Sequence, residues 1–104
     1  MQIGSGSVQA RAVAEAAERI GEDVSAWRRA RRMTQADLAL RAHVSVRTLS
    51  KIESGDMSTS TLGLLRVLHT LGVLEGINAA IDPNESEVGM ALLRDALPKR
   101  VRHG

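Results

Sequence analysis

From Val46 to Lys51 the sequence places Val46, Arg47, Ser50 and Lys51 within about 140° of one another if the segment is helical. The set contains no acid. It offers two long cationic donors one turn apart, a hydroxyl and a methyl-bearing surface. These chemical types hydrogen-bond guanine edges and phosphates and pack on the thymine methyl in the major groove of DNA. The bland alternative is a solvated helix surface, but such a surface more often mixes in Glu or Asp.

The neighbouring residues supply the elements needed to position that set. Thr34-Gln35-Ala36-Asp37 reads as a capping box opening a short helix to about Ala42. Ser45 is the next N-cap residue and opens a helix to about Glu53, which Ser54-Gly55-Asp56 stops. Two short helices separated by about three residues form a helix-turn-helix arrangement. Leu38 and Ala39 lie where the first meets the second, Val44 fills the turn, and Leu49 and Ile52 are the apolar stripe of the second.

The rest of the chain reads as helical. Met1–Ser7 is Gly/Ser-rich and expected to be loose. Val8–Ile20 is Ala-rich with Glu and Arg, a strong helix former, and Gly21 is expected to break or bend it. Ile20, Val24 and Trp27 recur at helical spacing, which places Trp27 in the core. Ser58 or Ser60 caps a further helix ending near Gly72, and another runs from about Leu74 to Ile81. Asp82-Pro83-Asn84 is a turn, and Ser86–Leu97 is a last helix ended by Pro98. The expected division is a loose segment 1–7, a DNA-binding domain 8–82 with an N-terminal helical extension, a C-terminal helix 83–97 and a basic tail 98–104.

Length, composition and charge narrow the function. A chain of 104 residues with 43% apolar and 25% charged residues is suited to one small globular domain. One aromatic, Trp27, argues against a base-stacking platform for RNA or single strands. The absence of Cys excludes disulfides and thiolate zinc sites. His43, His69 and His103 form no close-spaced ligand motif, so neither metal nor cofactor is expected. No pairing of nucleophile and base points to catalysis. No uncharged run in the leucine-rich half spans a bilayer, and no signal peptide is evident, so a cytoplasmic protein is the expectation. Residues 27–51 hold half of the basic residues, Arg28, Arg29, Arg31, Arg32, Arg41, Arg47 and Lys51, against the single acid Asp37. Such a segment suits polyanion binding, or a solvated helix surface. Residues 52–97 carry only Arg66 and Arg94 against seven acids.

The segment "IGEDVSAWRRARRMTQADLALRAHVSVRTLSKIESGD", with "TLGLLRVLHTLG" after it, resembles the Cro/repressor-type (XRE) helix-turn-helix family. The resemblance implies an all-α fold: a five-helix repressor-type domain, here with additional N- and C-terminal helices. It implies that Gln35 contacts a phosphate and that Ser45, Val46, Arg47 and Lys51 approach the bases of double-stranded operator DNA, with Ser50 on the same face. It implies that Arg28 and Glu53 pair, tying the first helix to the end of the recognition helix. Many members have Gly where this chain has Arg32 and His43, so a strained or differently shaped turn is expected at each. His43 is expected in a turn near the phosphates. Arg29, Arg31 and Arg32 suit either solvation or phosphate contact.

Leu62, Leu64, Leu65, Val67, Leu68 and Leu71 form an arc wider than one core face needs, and Val73, Leu74, Ile77 and Ile81 follow. A two-fold homodimer is the expectation. The run "TLGLLRVLHTLG", the short acidic helix after it and the basic ending "LPKRVR" are similar to HipB-like antitoxins. That similarity implies a bacterial repressor of its own operon with a HipA-type kinase toxin as partner. A solitary phage- or plasmid-type repressor and a protein–protein adaptor are the alternatives. The tail Lys99–Gly104 suits DNA contact, ordering on a partner or disorder.

Overall fold

The computed structural model describes the backbone of residues 2–103 and the side chains of residues 6–96. The tail's side chains lie outside the described residues. Six α-helices and no strand are present among them: α1 (Gln2–Ala30), α2 (Gln35–Ala42), α3 (Val46–Glu53), α4 (Thr61–Leu71), α5 (Leu74–Ile81) and α6 (Glu87–His103). The fold is all-α. The chain divides into two compact units, Met1–Gly72 and Val73–Gly104.

In the first unit α1 is continuous through two places where the sequence suggested otherwise. Residues 2–7, expected loose, are helical, because extending a helix from an Ala-rich segment costs far less than starting one. Gly21, expected to break or bend the helix, lies within it and is buried. It serves as a contact point instead. A Cβ at Gly21 would sit 2.5 Å from the Ile52 carbonyl oxygen and 2.8 Å from that of Glu53. The absent side chain lets α1 cross directly over the C-terminal end of α3.

The core of this unit is made by Val24, Met33, Leu38, Ala39, Ala42, Leu49, Ile52, Val67, Leu68 and Leu71. Trp27 is not part of it. It is 46% exposed, with the Arg31 guanidinium carbon 5.6 Å from its ring centroid, a cation–π contact. The inward line of α1 is Ala17, Gly21, Val24 and Arg28, which share one face at 100° per residue. Ile20 and Trp27 flank that line. Small residues mark the true contact face, so the large apolar ones misplace it. On α4, Val67, Leu68 and Leu71 are buried and Leu64 is half-buried, whereas Leu62 and Leu65 are exposed. Leu64 faces Val13, Ile20 and Met57 across a groove of about 300 Å³. Ser60 caps α4, its hydroxyl accepting from the Gly63 amide at 2.9 Å.

The second unit consists of α5, a 3₁₀ turn at Pro83–Glu85 and α6. Asp82 accepts from the Asn84 amide at 2.9 Å, and Ser86 from the Gly89 amide at 3.1 Å. A side chain at Gly89 would collide with the Pro83 backbone, so the turn packs directly on α6. Pro98 does not end α6, which continues to His103. A proline removes one amide donor, and the Leu- and Ala-containing turns before it propagate the helix past that gap. No described side chain of this unit is buried.

Substituting each of two glycines of α1 tests the crossing. Gly6→Ala meets nothing within 4 Å and should stabilise by about 0.5–1 kcal/mol through helix propensity. Gly21→Ala gains the same propensity but should lower stability by about 1–3 kcal/mol, the cost of overpacking against backbone. Urea unfolding measures both. An unchanged or raised midpoint for Gly21→Ala contradicts the close crossing.

Candidate nucleic-acid interface

Two side-chain caps set the helices of the site. The Thr34 hydroxyl accepts from the Asp37 amide at 3.0 Å, and the Asp37 carboxylate accepts from the Thr34 amide at 3.1 Å. The Thr34 backbone and hydroxyl bonds hold the Asp37 carboxyl below the usual carboxylate range. Ser45 caps α3, accepting from the Thr48 amide at 2.9 Å. Its hydroxyl also donates to Thr48 Oγ1 at 3.0 Å. Before each motif helix the chain turns through a left-handed residue, Arg32 with φ 57° and His43 with φ 59°. At both, the following amide reaches back to close a Schellman-type cap: Met33 N–H to the Arg28 carbonyl at 3.1 Å, and Val44 N–H to the Ala39 carbonyl at 3.0 Å. A non-glycine residue in this conformation costs about 1 kcal/mol.

These caps orient α3. Leu49 and Ile52 are fully buried beneath it, and Thr48 is half-buried. On the other side Val46 is 47% exposed, Arg47 and Ser50 are exposed, and Lys51 is half-buried. Val46, Arg47, Ser50 and Lys51 thus share one outer face that carries no carboxylate of its own. Ser45 sits at its N-terminal edge with its hydroxyl engaged in the cap.

The C-terminal end of α3 is held by a charged cluster. Arg28 Nε lies 2.7 Å from Glu53 Oε2, and its Nη2 donates to Glu53 Oε1 at 3.0 Å, a two-pronged pair. Arg28 Nη1 donates to the Met33 carbonyl at 2.9 Å. Gln35 Nε2 donates to Glu53 Oε1 at 3.0 Å. The Arg28 and Glu53 side chains are 13% and 8% exposed. Burial pushes the Glu53 carboxyl up, but hydrogen bonds from Arg28 and Gln35 and the guanidinium charge outweigh it and leave the pKa below its ordinary 4.5. The hydrogen bond to Glu53 raises Arg28 in turn. The Glu53 carboxylate therefore joins the end of α1, the first residue of α2 and the last of α3, and the guanidinium that grips it also holds the turn at Met33. The two bonds from Gln35 and to Met33 have no signal in the sequence.

Two short helices, a buried seam between them and a capped outer helix with an acid-free face define a helix-turn-helix module of DNA-binding, transcription-regulator type. A family model described as helix-turn-helix matches residues 24–75, half of the chain. The chain belongs to that family, the XRE-type helix-turn-helix proteins, which is a DNA-binding regulatory family and not an enzyme family. No curated protein and no solved structure matches the chain.

The charged cluster has a thermodynamic signature. Arg28→Met leaves the Glu53 carboxylate buried without its partner and should cost about 3 kcal/mol, whereas Arg28→Met with Glu53→Leu should cost less. With Glu53→Leu measured alone as well, a double-variant loss equal to the sum of the two single losses in urea unfolding contradicts a coupled pair. Because the folded Glu53 pKa is depressed, its contribution is present above the ordinary value and lost as pH falls through the folded one. Glu53→Gln should accordingly flatten the acid limb of the stability–pH curve below about pH 4.5.

Proposed function

We propose that the protein is an operator-specific transcriptional repressor that binds double-stranded DNA as a homodimer. The observation that carries this reading is the outer face of α3, with Arg47 and Lys51 one turn apart and no acid among Val46, Arg47, Ser50 and Lys51. In this reading Arg47 and Lys51 meet base edges or flanking phosphates, Val46 packs on a thymine methyl, and Ser45 and Ser50 add polar contact. Gln35 serves twice, holding Glu53 with its amide while its place at the start of α2 brings it to a phosphate. An adaptor without DNA has no use for an acid-free basic face. Exposed Leu62 and Leu65 support self-association within the first unit.

The same reading assigns the protein as the antitoxin of a HipBA-like module in the bacterial cytoplasm, with a HipA-type kinase toxin as partner. Support comes from the second unit taken by itself. It contains no buried side chain among its described residues, and Ile81, Val88 and Leu92 are 76%, 70% and 64% exposed. Over residues 73–97, Glu75, Asp82, Glu85, Glu87 and Asp95 stand against Arg94, a balance that phosphate repels and a basic protein surface attracts, before the basic ending Lys99, Arg100 and Arg102. A solitary repressor needs the face of α3 but gives the second unit no partner.

Selection of bound sequences from random DNA, with the size of the complex measured, tests the DNA-binding part. Arg47→Ala should cost about 1–3 kcal/mol on the selected site and relax preference at one position. Equal weakening on selected and random DNA makes Arg47 a phosphate contact only. Light scattering should show a dimer at micromolar concentration. Co-expression with the product of the adjacent gene tests the antitoxin part. A neighbour that is no kinase, or a kinase that fails to co-purify, leaves the solitary repressor.

A further inference from the structure

The four arginines at the end of α1 are not equivalent. Arg28 is bonded to Glu53 and Met33. Arg31 lies over the Trp27 ring. Arg29 Nε donates to the Ser25 carbonyl at 3.3 Å, and its position in the last turn suits the helix dipole. Arg32 differs from all three. It is exposed, and among the described residues its guanidinium makes no hydrogen bond, ion pair or ring contact. Its backbone is left-handed at φ 57°, a conformation that glycine or asparagine adopts with less strain. The fold therefore keeps an unfavourable residue at a place where its side chain does nothing for the fold. Strain retained in this way points toward binding.

Its surroundings point to the ligand. The carbonyl of the next residue, Met33, is held by Arg28, which grips Glu53 at the end of α3. Three residues on, Gln35 begins α2 and bonds to the same carboxylate. The turn is thus fixed to the ends of both motif helices, and a charge carried on it keeps a set position relative to the face of α3. Glu53 is already neutralised by Arg28, so it does not compete for Arg32.

We propose that Arg32 is a phosphate-binding residue, a sequence-independent anchor on the DNA backbone beside the site read by α3. This rests on the DNA-binding reading above. An anchor of this kind fixes register without reading sequence.

The test compares the whole protein with Arg32→Gly and Arg32→Lys on a mixed-sequence duplex across a series of salt concentrations. Arg32→Gly relieves the backbone, so it should fold and melt at a higher temperature than the parent. It should nevertheless bind more weakly, with a logarithmic salt slope shallower by about 0.9, the release of one phosphate contact. Arg32→Lys keeps the charge and should keep the parent slope. If Arg32→Gly is well folded and its slope equals that of the parent, the proposal is overturned while DNA binding stands. If the parent itself binds no duplex, the DNA-binding reading falls and this proposal with it.

Discussion

The Glu53 carboxylate is the constraint around which the first unit is arranged. It is the last residue of α3, and it receives bonds from Arg28 at the end of α1 and Gln35 at the start of α2. Three helices are thereby tied at one point. The same point is where α1 comes closest to α3, because Gly21 lies against the carbonyls of Ile52 and Glu53. Close approach shields the ion pair from water, and the ion pair compensates for a crossing built on small residues. A buried pair of this kind is weak evidence of net stability against an apolar alternative. Its larger effect is on geometry. It sets the angle at which α3 presents its outer face, and DNA recognition tolerates little error in that angle.

The face itself is produced by subtraction. Leu49 and Ile52 take the inward positions, Ser45 caps the start, and what remains outward is Val46, Arg47, Ser50 and Lys51. Eight residues make a helix too short to be stable alone, so the caps and the core hold it. The two left-handed residues, Arg32 and His43, are part of this economy of short helices. Each lets a helix stop and the chain reverse within a few residues, at a conformational cost that glycine would lower.

Much of this is legible in the sequence where the signal is local. Thr34, Ser45 and Ser60 are cap residues followed at the right distance by helix formers, and the structure uses each as a cap. The periodicity of Leu49 and Ile52 assigns the two sides of α3 correctly, because burial on a short helix follows from spacing alone. The left-handed turns at Arg32 and His43 follow from the family's glycines at those places. The face of α1 was not legible. Its inward line contains Ala17, Gly21 and Arg28, which add nothing to an apolar periodicity, so that periodicity places Trp27 in the core where the structure leaves it exposed. Gly21 carries no mark that separates a helix breaker from a contact point. The bond between Gln35 and Glu53 joins residues far apart in sequence through a geometry that only the packed helices create. The helical course of α6 past Pro98 depends on the turns before it and not on the proline itself.

In the proposed function the acid-free face of α3, held by the cluster at Glu53, reads base edges in the major groove. Methylation interference on the selected DNA site tests it most directly. Methylation of guanine N7 blocks a major-groove contact, and methylation of adenine N3 blocks a minor-groove one. A protein that reads with Arg47 and Lys51 should lose binding when particular guanines in each half-site carry the N7 methyl, and Arg47→Ala should abolish that interference at one of them. Interference confined to adenine N3, with guanine N7 methylation tolerated throughout the site, would contradict it.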